Sequence, residues 1–170
     1  MYHKREKEDI SDMGCSNESL KIIVTLQEQQ RICDLIKSIV TELKYTQDWT
    51  YAANNIKNES FREKYICGED EYKSVLSKLN PAVFLEAEKN NSKKVKINAD
   101  AAKEVMYKFI VREMFVLKYP EDIEEELVNI YVKVTFPGGI EESMIIVSFH
   151  ESLRSLEDEL ENKIRIIGQQ

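Results

Sequence analysis

The chain has 170 residues, of which 42% are hydrophobic and 32% are charged, and its formal net charge is −7 at pH 7. This size and balance are typical of one globular domain that buries a full core without disulfides or metals. The sequence contains no apolar run near the ~18 residues that span a bilayer, and its acidic balance disfavours non-specific binding to nucleic acid. The odd number of cysteines, three, argues against a disulfide framework and for a reducing, intracellular compartment.

The N-terminal region divides into a charged segment and an apolar one. Residues 1–18 are polar and lack the apolar core of a secretory signal, so we expect a flexible tail there and a single domain over residues 19–170. β-Branched residues favour a strand over residues 20–24. Thr25 lies three residues before Glu28, the spacing of a capping box, and apolar residues at helical spacing then predict a helix that extends to Leu43.

Helical patterns dominate the middle of the chain. They predict helices over residues 47–66, over "DEYKSVLSKL" and, beginning at Pro81, over "PAVFLEAEKN". After a lysine-containing loop, residues 100–118 are predicted to form a further helix, apolar around most of its circumference and ended by Pro120. Such a helix is typical of a central buried position or of one that offers a second face to a partner.

A period of two then predicts a β-hairpin. Strands are expected over residues 128–136, where apolar and polar side chains alternate, and over residues 143–149. Between them lie Pro137 and Gly138, which suit a type II bend, with Gly138 supplying the positive φ. A phosphate-binding loop is disfavoured, because this loop joins two strands and is followed by acidic residues.

The last predicted element is a helix over residues 149–167 with a leucine and isoleucine stripe that either closes the core or forms a seam with a second chain. The elements together predict an α+β fold that is mainly helical. We expect five or six helices and a small antiparallel sheet, formed by strands near 128–136 and 143–149, with 20–24 as a candidate third strand.

Few residues carry recognisable chemistry. His150 lies beside Glu151 at the start of the predicted last helix and could act as a general base, although a solvated first-turn histidine is the commoner case. No cysteine or histidine pair has zinc-like spacing. The acidic run "PEDIEEEL" is typical of a solvated surface, with a docking patch for a basic partner as its functional counterpart. We therefore predict no catalytic, cofactor-binding or metal-binding residues.

The sequence favours a non-enzymatic interaction module, such as an adaptor, a regulator or a subunit of a complex, that binds a protein partner or a second copy through apolar helical surface. One alternative is a small enzyme with an active site near His150. Another is a nucleic-acid-associated protein that uses the loop from Lys93 to Lys96, which the net negative charge disfavours. The predicted partner-binding residues are Met114, Phe115, Leu153, Leu156, Leu160 and Ile164.

Overall fold

The fold consists of a six-stranded sheet with three α-helices packed on one face. The computed structural model describes residues 21–42, 45–46, 56–89, 104–122, 124–136, 143–155, 157–159 and 161. In chain order the elements are β1 (Lys21–Ile22), α1 (Leu26–Thr41), β2 (Tyr45–Thr46), α2 (Ile56–Lys64), α3 (Glu69–Ser77), a 3-10 turn (Pro81–Val83), β3 (Phe84–Lys89), β4 (Val105–Val116), β5 (Glu125–Thr135) and β6 (Met144–Glu151).

The two longest strands, β4 and β5, lie in the middle of the sheet. The strand order is β1-β3-β4-β5-β6-β2, and all neighbours are antiparallel except β2, which runs parallel to β6. The register of β4 against β5 is unbroken from the Met106–Thr135 pair to the Val116–Glu125 pair. Because side chains alternate between the two faces of a strand, this register fixes which residues lie together on each face.

The prediction of a mainly helical fold with five or six helices is wrong, because the elements of the described residues are three α-helices, one 3-10 turn and six strands. Strand accounts for 40% of the structure and helix for 39%. Residues 105–116, predicted to be the central helix, form β4, and residues 84–89, also predicted to be helical, form β3. The reason lies in the burial of β4 on both faces: Phe109 and Ile110, on opposite faces, are both fully buried. A strand buried on both sides shows a continuous apolar run rather than alternation.

The start of the described chain confirms the predicted strand and capping box. Lys21–Ile22 forms β1, although it joins the sheet by pairing with β3 and not with the hairpin. The Glu28 backbone N–H donates to Thr25 Oγ1 at 3.3 Å, and the Thr25 backbone N–H donates to Glu28 Oε2 at 3.2 Å. These reciprocal bonds satisfy backbone donors that the first turn of α1 leaves free.

The other helices are confirmed in part. Helix α3 matches the prediction over "DEYKSVLSKL", and α2 lies in the second half of the predicted helix over 47–66, the first part of which is outside the described residues. The predicted start of the last helix is wrong, because residues 149–151 continue β6. Residues 157–159 and 161 are helical, and the Asp158 backbone N–H donates to Ser155 Oγ at 3.1 Å, as expected for an N-cap.

The predicted hairpin is confirmed by the antiparallel pairing of β5 with β6. Gly138 and the rest of the predicted turn lie outside the described residues, as do the tail over residues 1–18 and the loop from Lys93 to Lys96. In the described part of the chain, no helix is both long and apolar enough to cross a membrane.

The core lies between the helices and the sheet, and aromatic rings join the two layers. Phe61 of α2 makes edge-to-face contacts with Phe115 of β4, at 5.0 Å between ring centroids, and with Phe149 of β6, at 5.9 Å. The Tyr65 hydroxyl, just after α2, donates to Glu126 Oε2 of β5 at 2.6 Å. Helix α2 is thus attached to the three central strands by rings that each bury a large apolar area.

A buried amide completes the attachment of α2 to β6. Asn58 donates from its side-chain nitrogen to the Val147 carbonyl at 3.2 Å and accepts from the Phe149 backbone N–H at 2.9 Å. These bonds satisfy two buried backbone groups of β6 next to the position where its register against β5 shifts. Buried polar groups need such partners, because leaving one unpaired costs about 1–3 kcal/mol.

Candidate functional site: the second face of the sheet

The sheet has a second face, opposite to α1, α2 and α3, and most of the polar side chains of the strands lie there. The helical residues 157–159 are on this side, since Arg112 Nη2 of the second face lies 2.7 Å from Glu157 Oε1. In β4 and β5 the residues of the helix-facing side, apart from Glu113 and Glu126, lie in or pack against the core cluster, and the residues between them form the second face. Its members include Glu86 and Glu88 of β3, Met106, Lys108, Ile110, Arg112, Met114 and Val116 of β4, Leu127, Asn129, Tyr131 and Lys133 of β5, and His150 of β6.

A charged cluster occupies the middle of the second face. Lys108 Nζ lies 2.7 Å from Glu86 Oε1 and 2.7 Å from Glu88 Oε2. Lys133 Nζ lies 3.6 Å from Glu88 Oε1, and Lys21 Nζ lies 3.0 Å from Glu86 Oε2. Opposite charges on adjacent strands stabilise their pairing, so the cluster holds β3 against β4 and compensates most of its own charge.

The two lysines differ in their pKa values. Burial alone would lower the pKa of Lys108, but its hydrogen bonds to Glu86 and Glu88 raise it above the ordinary value. Burial lowers the pKa of Lys133, and the more distant Glu88 opposes this only in part. Lys108 therefore keeps its positive charge firmly, whereas Lys133, with fewer close carboxylates, loses its proton more easily than an ordinary lysine.

His150 is the second-last residue of β6, not the start of a helix, and is 8% exposed. Its Nδ1 is 2.9 Å from the Glu151 carbonyl oxygen. Since a carbonyl oxygen only accepts, Nδ1 carries the hydrogen in the neutral ring and Nε2 does not. Burial lowers the pKa of His150, and the positive charges of Lys57 and Lys133 add to this effect, so the ring is neutral at pH 7.

Tyr131 packs against His150 with ring centroids 5.4 Å apart, and burial raises its pKa, so its hydroxyl is protonated at neutral pH. A neutral imidazole with a free Nε2 lone pair can in principle accept a proton. Here the ring is buried, hydrogen-bonded to the backbone carbonyl of the next residue and packed on Tyr131, an arrangement that is typical of a structural histidine. Within the described residues, no group of three or more His, Cys, Asp or Glu side chains is arranged to hold a metal ion.

At the other end of the second face the side chains are apolar and accessible. Met114 is 47% exposed, Val116 40% and Leu127 57%. Met114 lies directly opposite Leu127 in the β4–β5 register, and Val116 lies two residues further along β4, opposite Glu125. We call Met114, Val116 and Leu127 the apolar strip. It begins beyond the pair Arg112–Asn129, in which Arg112 Nε donates to Asn129 Oδ1 at 3.0 Å.

Carboxylates border the apolar strip. Glu125 is exposed on the same face. The backbone carbonyl of Glu124 accepts a hydrogen bond from the Leu117 backbone N–H at 2.9 Å, so Glu124 lies beside the end of β4. Glu121 and Asp122, in the connection from β4 to β5, are also exposed. We call Glu121, Asp122, Glu124 and Glu125 the acidic rim. It belongs to the run "PEDIEEEL", which was expected to be a solvated surface or a docking patch.

The structure separates the residues that were predicted to bind a partner. Met114 lies in the apolar strip. Phe115, its neighbour, points to the opposite face, is 1% exposed and contacts the rings of Phe61 and Tyr65 at 5.0 and 5.7 Å between centroids, so its side chain is not offered to a partner. Leu153 is exposed just after β6, at the same end of the sheet. The remaining three, Leu156, Leu160 and Ile164, lie outside the described residues.

The sequence-based prediction missed Leu127 and did not single out Val116. Their shared position depends on the register between β4 and β5, which joins residues in separate segments of the chain. An alternating pattern at 114 and 116 was present in the sequence, but the helical interpretation of residues 100–118 concealed it.

No protein-family model matches the chain, and neither the curated proteins nor the solved structures include a significant match. The fold is an α+β sheet with helices on one face, and a fold of this kind serves many functions. A function must therefore be inferred from the second face itself.

Proposed function

We propose that the protein is a non-enzymatic interaction module, an adaptor, regulator or subunit of a complex, that binds a protein partner through the apolar strip. The observation that carries the proposal is the adjacency of three half-exposed apolar side chains, Met114, Val116 and Leu127, on one face of two paired strands. The proposed binding surface is accordingly formed by strands, because Met114 lies on β4 and not on the helix that was expected over residues 100–118.

Adjacency distinguishes the apolar strip from ordinary surface exposure. Single exposed hydrophobic residues, such as Ile23 and Ile56, are normal on soluble proteins and need no explanation. In the strip, cross-strand pairing brings the side chains close enough to be covered by one partner. Fully burying a Leu, Val or Met side chain yields about 1.5–3 kcal/mol, and Met114 adds an unbranched, adaptable side chain that fits varied surfaces.

The size of the strip indicates the kind of contact it can make. A standard-size stable interface involves roughly 20–30 residues on each partner, so three side chains can form only its centre, and permanent interfaces are larger still. A small apolar centre surrounded by polar groups is the usual layout of a specific contact that forms and dissociates. We therefore propose the strip as the centre of a reversible interface, with the surrounding polar residues as its border.

A pull-down from extracts of the source cells, using the tagged full-length chain, tests this proposal. We compare the wild type with Met114→Asp and Leu127→Asp and with the matched control Ile23→Asp, whose side chain is exposed near β1. We expect proteins that are retained by the wild type and the control and lost by both strip variants. Their direct binding is then measured by calorimetry with the purified partner, where a loss of about tenfold or more is expected.

Circular dichroism and a thermal melt establish that each variant is folded before binding is interpreted. All substituted side chains are partly or largely exposed, so the variants are expected to fold. If folded strip variants retain the same proteins as the wild type and the control, the apolar strip is not the binding surface.

A further inference from the structure

We infer that the partner presents a basic amphipathic helix, whose apolar side chains cover the apolar strip and whose lysine or arginine side chains lie against the acidic rim. This inference rests on the proposed function and adds the chemistry of the partner to it. Three features of the described residues support it: the uncompensated charge of the rim, the geometry of the strip, and the net charge of the chain.

The acidic rim has few local counter-charges. Of the basic residues at this end of the sheet, Lys64 lies 3.2 Å from Glu126 and 3.8 Å from Glu151, and Arg112 lies 2.7 Å from Glu157. In the described part of the chain, no ion pair engages the four carboxylates of the rim. Lys118 adds one exposed positive charge after β4, which leaves the rim strongly negative and complementary to a basic segment.

The geometry of the strip favours a helix laid across the face. The edge of β4 beside the strip is already engaged, because the Ile66 backbone N–H donates to the Val116 carbonyl at 2.8 Å. Neighbouring side chains on one face of a strand, such as Met114 and Val116, are about 7 Å apart. Apolar side chains four residues apart on a helix are about 6 Å apart along its axis, which matches this spacing.

The net charge argues against a second copy of the chain as the occupant. Each copy carries a formal charge of −7, and a symmetric contact through the strip would bring two acidic rims together. Like charges across an interface disfavour association and slow the encounter. A basic partner is instead attracted to the acidic rim.

The probe is a set of three synthetic amphipathic peptides of equal length, measured by fluorescence anisotropy with the full-length chain. The first carries leucines on one helical face and lysines elsewhere. The second has glutamates in place of the lysines, and the third has serines in place of the leucines. We expect the leucine–lysine peptide to bind best, the glutamate peptide not to bind, and the serine peptide to bind at least about tenfold more weakly than the first.

Variants of the chain locate the binding. Glu124→Gln combined with Glu125→Gln should weaken binding of the leucine–lysine peptide by about tenfold and reduce its dependence on salt. The matched control is Glu59→Gln combined with Glu63→Gln, which removes two exposed carboxylates from α2, outside the rim, and should leave the affinity unchanged. Leu127→Ser should weaken binding while leaving the salt dependence as it is.

The outcomes separate this inference from the proposed function. If Leu127→Asp abolishes capture of a natural partner but the rim substitutions and salt leave that affinity unchanged, the partner is not basic and only the inference is overturned. If the rim variant and the α2 control bind the leucine–lysine peptide equally well, the peptide is attracted to the acidic protein as a whole, and the inference is also overturned. A concentration-dependent dimer in sedimentation, lost in Leu127→Asp, would identify a second copy as the occupant and overturn it as well.

Discussion

The two faces of the β4–β5 pair differ sharply although the same twelve- and eleven-residue strands form both. On the helix-facing side the residues, apart from Glu113 and Glu126, are apolar and mostly buried, with Phe115 as a large example. On the second face a charged cluster is followed by the half-exposed apolar strip. Neighbouring residues of one strand thus lie on different faces. A substitution at one position affects the core, and a substitution at the next position affects the candidate binding surface.

The largest expected effect contrasts Phe115 with Met114. Phe115→Ala removes a ring that contacts Phe61, Tyr65 and Phe149 and should reduce the free energy of unfolding by about 3–5 kcal/mol. Met114→Ala, one residue away, should cost less than about 1 kcal/mol, because its side chain is half exposed. Urea denaturation of both variants measures the difference, and equal losses would contradict the assignment of the two faces.

Asn58→Ala tests the buried amide that attaches α2 to the sheet. The substitution leaves the Val147 carbonyl and the Phe149 backbone N–H without their partner, so we expect a loss of about 2–3 kcal/mol in the free energy of unfolding. Asn129→Ala is the matched control, because Asn129 is only half-buried and its side-chain oxygen accepts a hydrogen bond from the exposed Arg112. A smaller effect at Asn58 than at Asn129 would show that the buried bonds do not hold the helix.

The parts of the fold that were predicted correctly depend on local signals. The capping box of Thr25 and Glu28 and the short amphipathic helix α3 involve residues three or four positions apart, and the sequence displays such spacings directly. Pro81 also predicted a helical start, and the structure forms a single 3-10 turn there, capped by a bond of 2.9 Å from the Ala82 backbone N–H to Asn80 Oδ1. The chain then enters β3 instead of continuing as a helix.

The parts that were missed depend on contacts between distant segments. Strand β3 places Glu86 and Glu88 beside Lys108, a pairing that no local pattern reveals. Strand β4 is buried on both faces over its middle, so its apolar residues lack the period of two that identifies a half-buried strand. For the candidate site, Met114 was predicted, but Leu127 could be placed beside it only through the β4–β5 register.

Lys108→Ala should have an intermediate effect on stability, because it removes the cation between two carboxylates. Glu86 and Glu88 both contact Lys108 Nζ and would then lose this partner and repel each other on a partly buried surface, at a cost of about 1–3 kcal/mol. Lys21→Ala breaks a more exposed ion pair with Glu86 and should cost less than about 1 kcal/mol. Chemical denaturation of both variants measures the free energy of unfolding and tests whether the more buried ion pairs contribute more to stability. Equal losses for Lys108→Ala and Lys21→Ala would contradict this.

The smallest expected effect is the pH dependence that His150 contributes. Its pKa in the folded state is lowered by burial and, in addition, by Lys57 on α2 and Lys133 on β5, while the bond to the Glu151 carbonyl opposes this. The unfolded state therefore binds more protons than the folded state near the ordinary histidine pKa of about 6.5. The resulting stabilisation is fully present above that pH and decreases as the pH falls from 6.5 through the lower folded-state value. We expect the wild type to lose stability between pH 7.5 and pH 5 in urea denaturation and His150→Gln to lose less. Equal slopes for the wild type and His150→Gln would show that the histidine is equally easy to protonate in both states, and the second face would then be more open to water around β6 than its burial indicates.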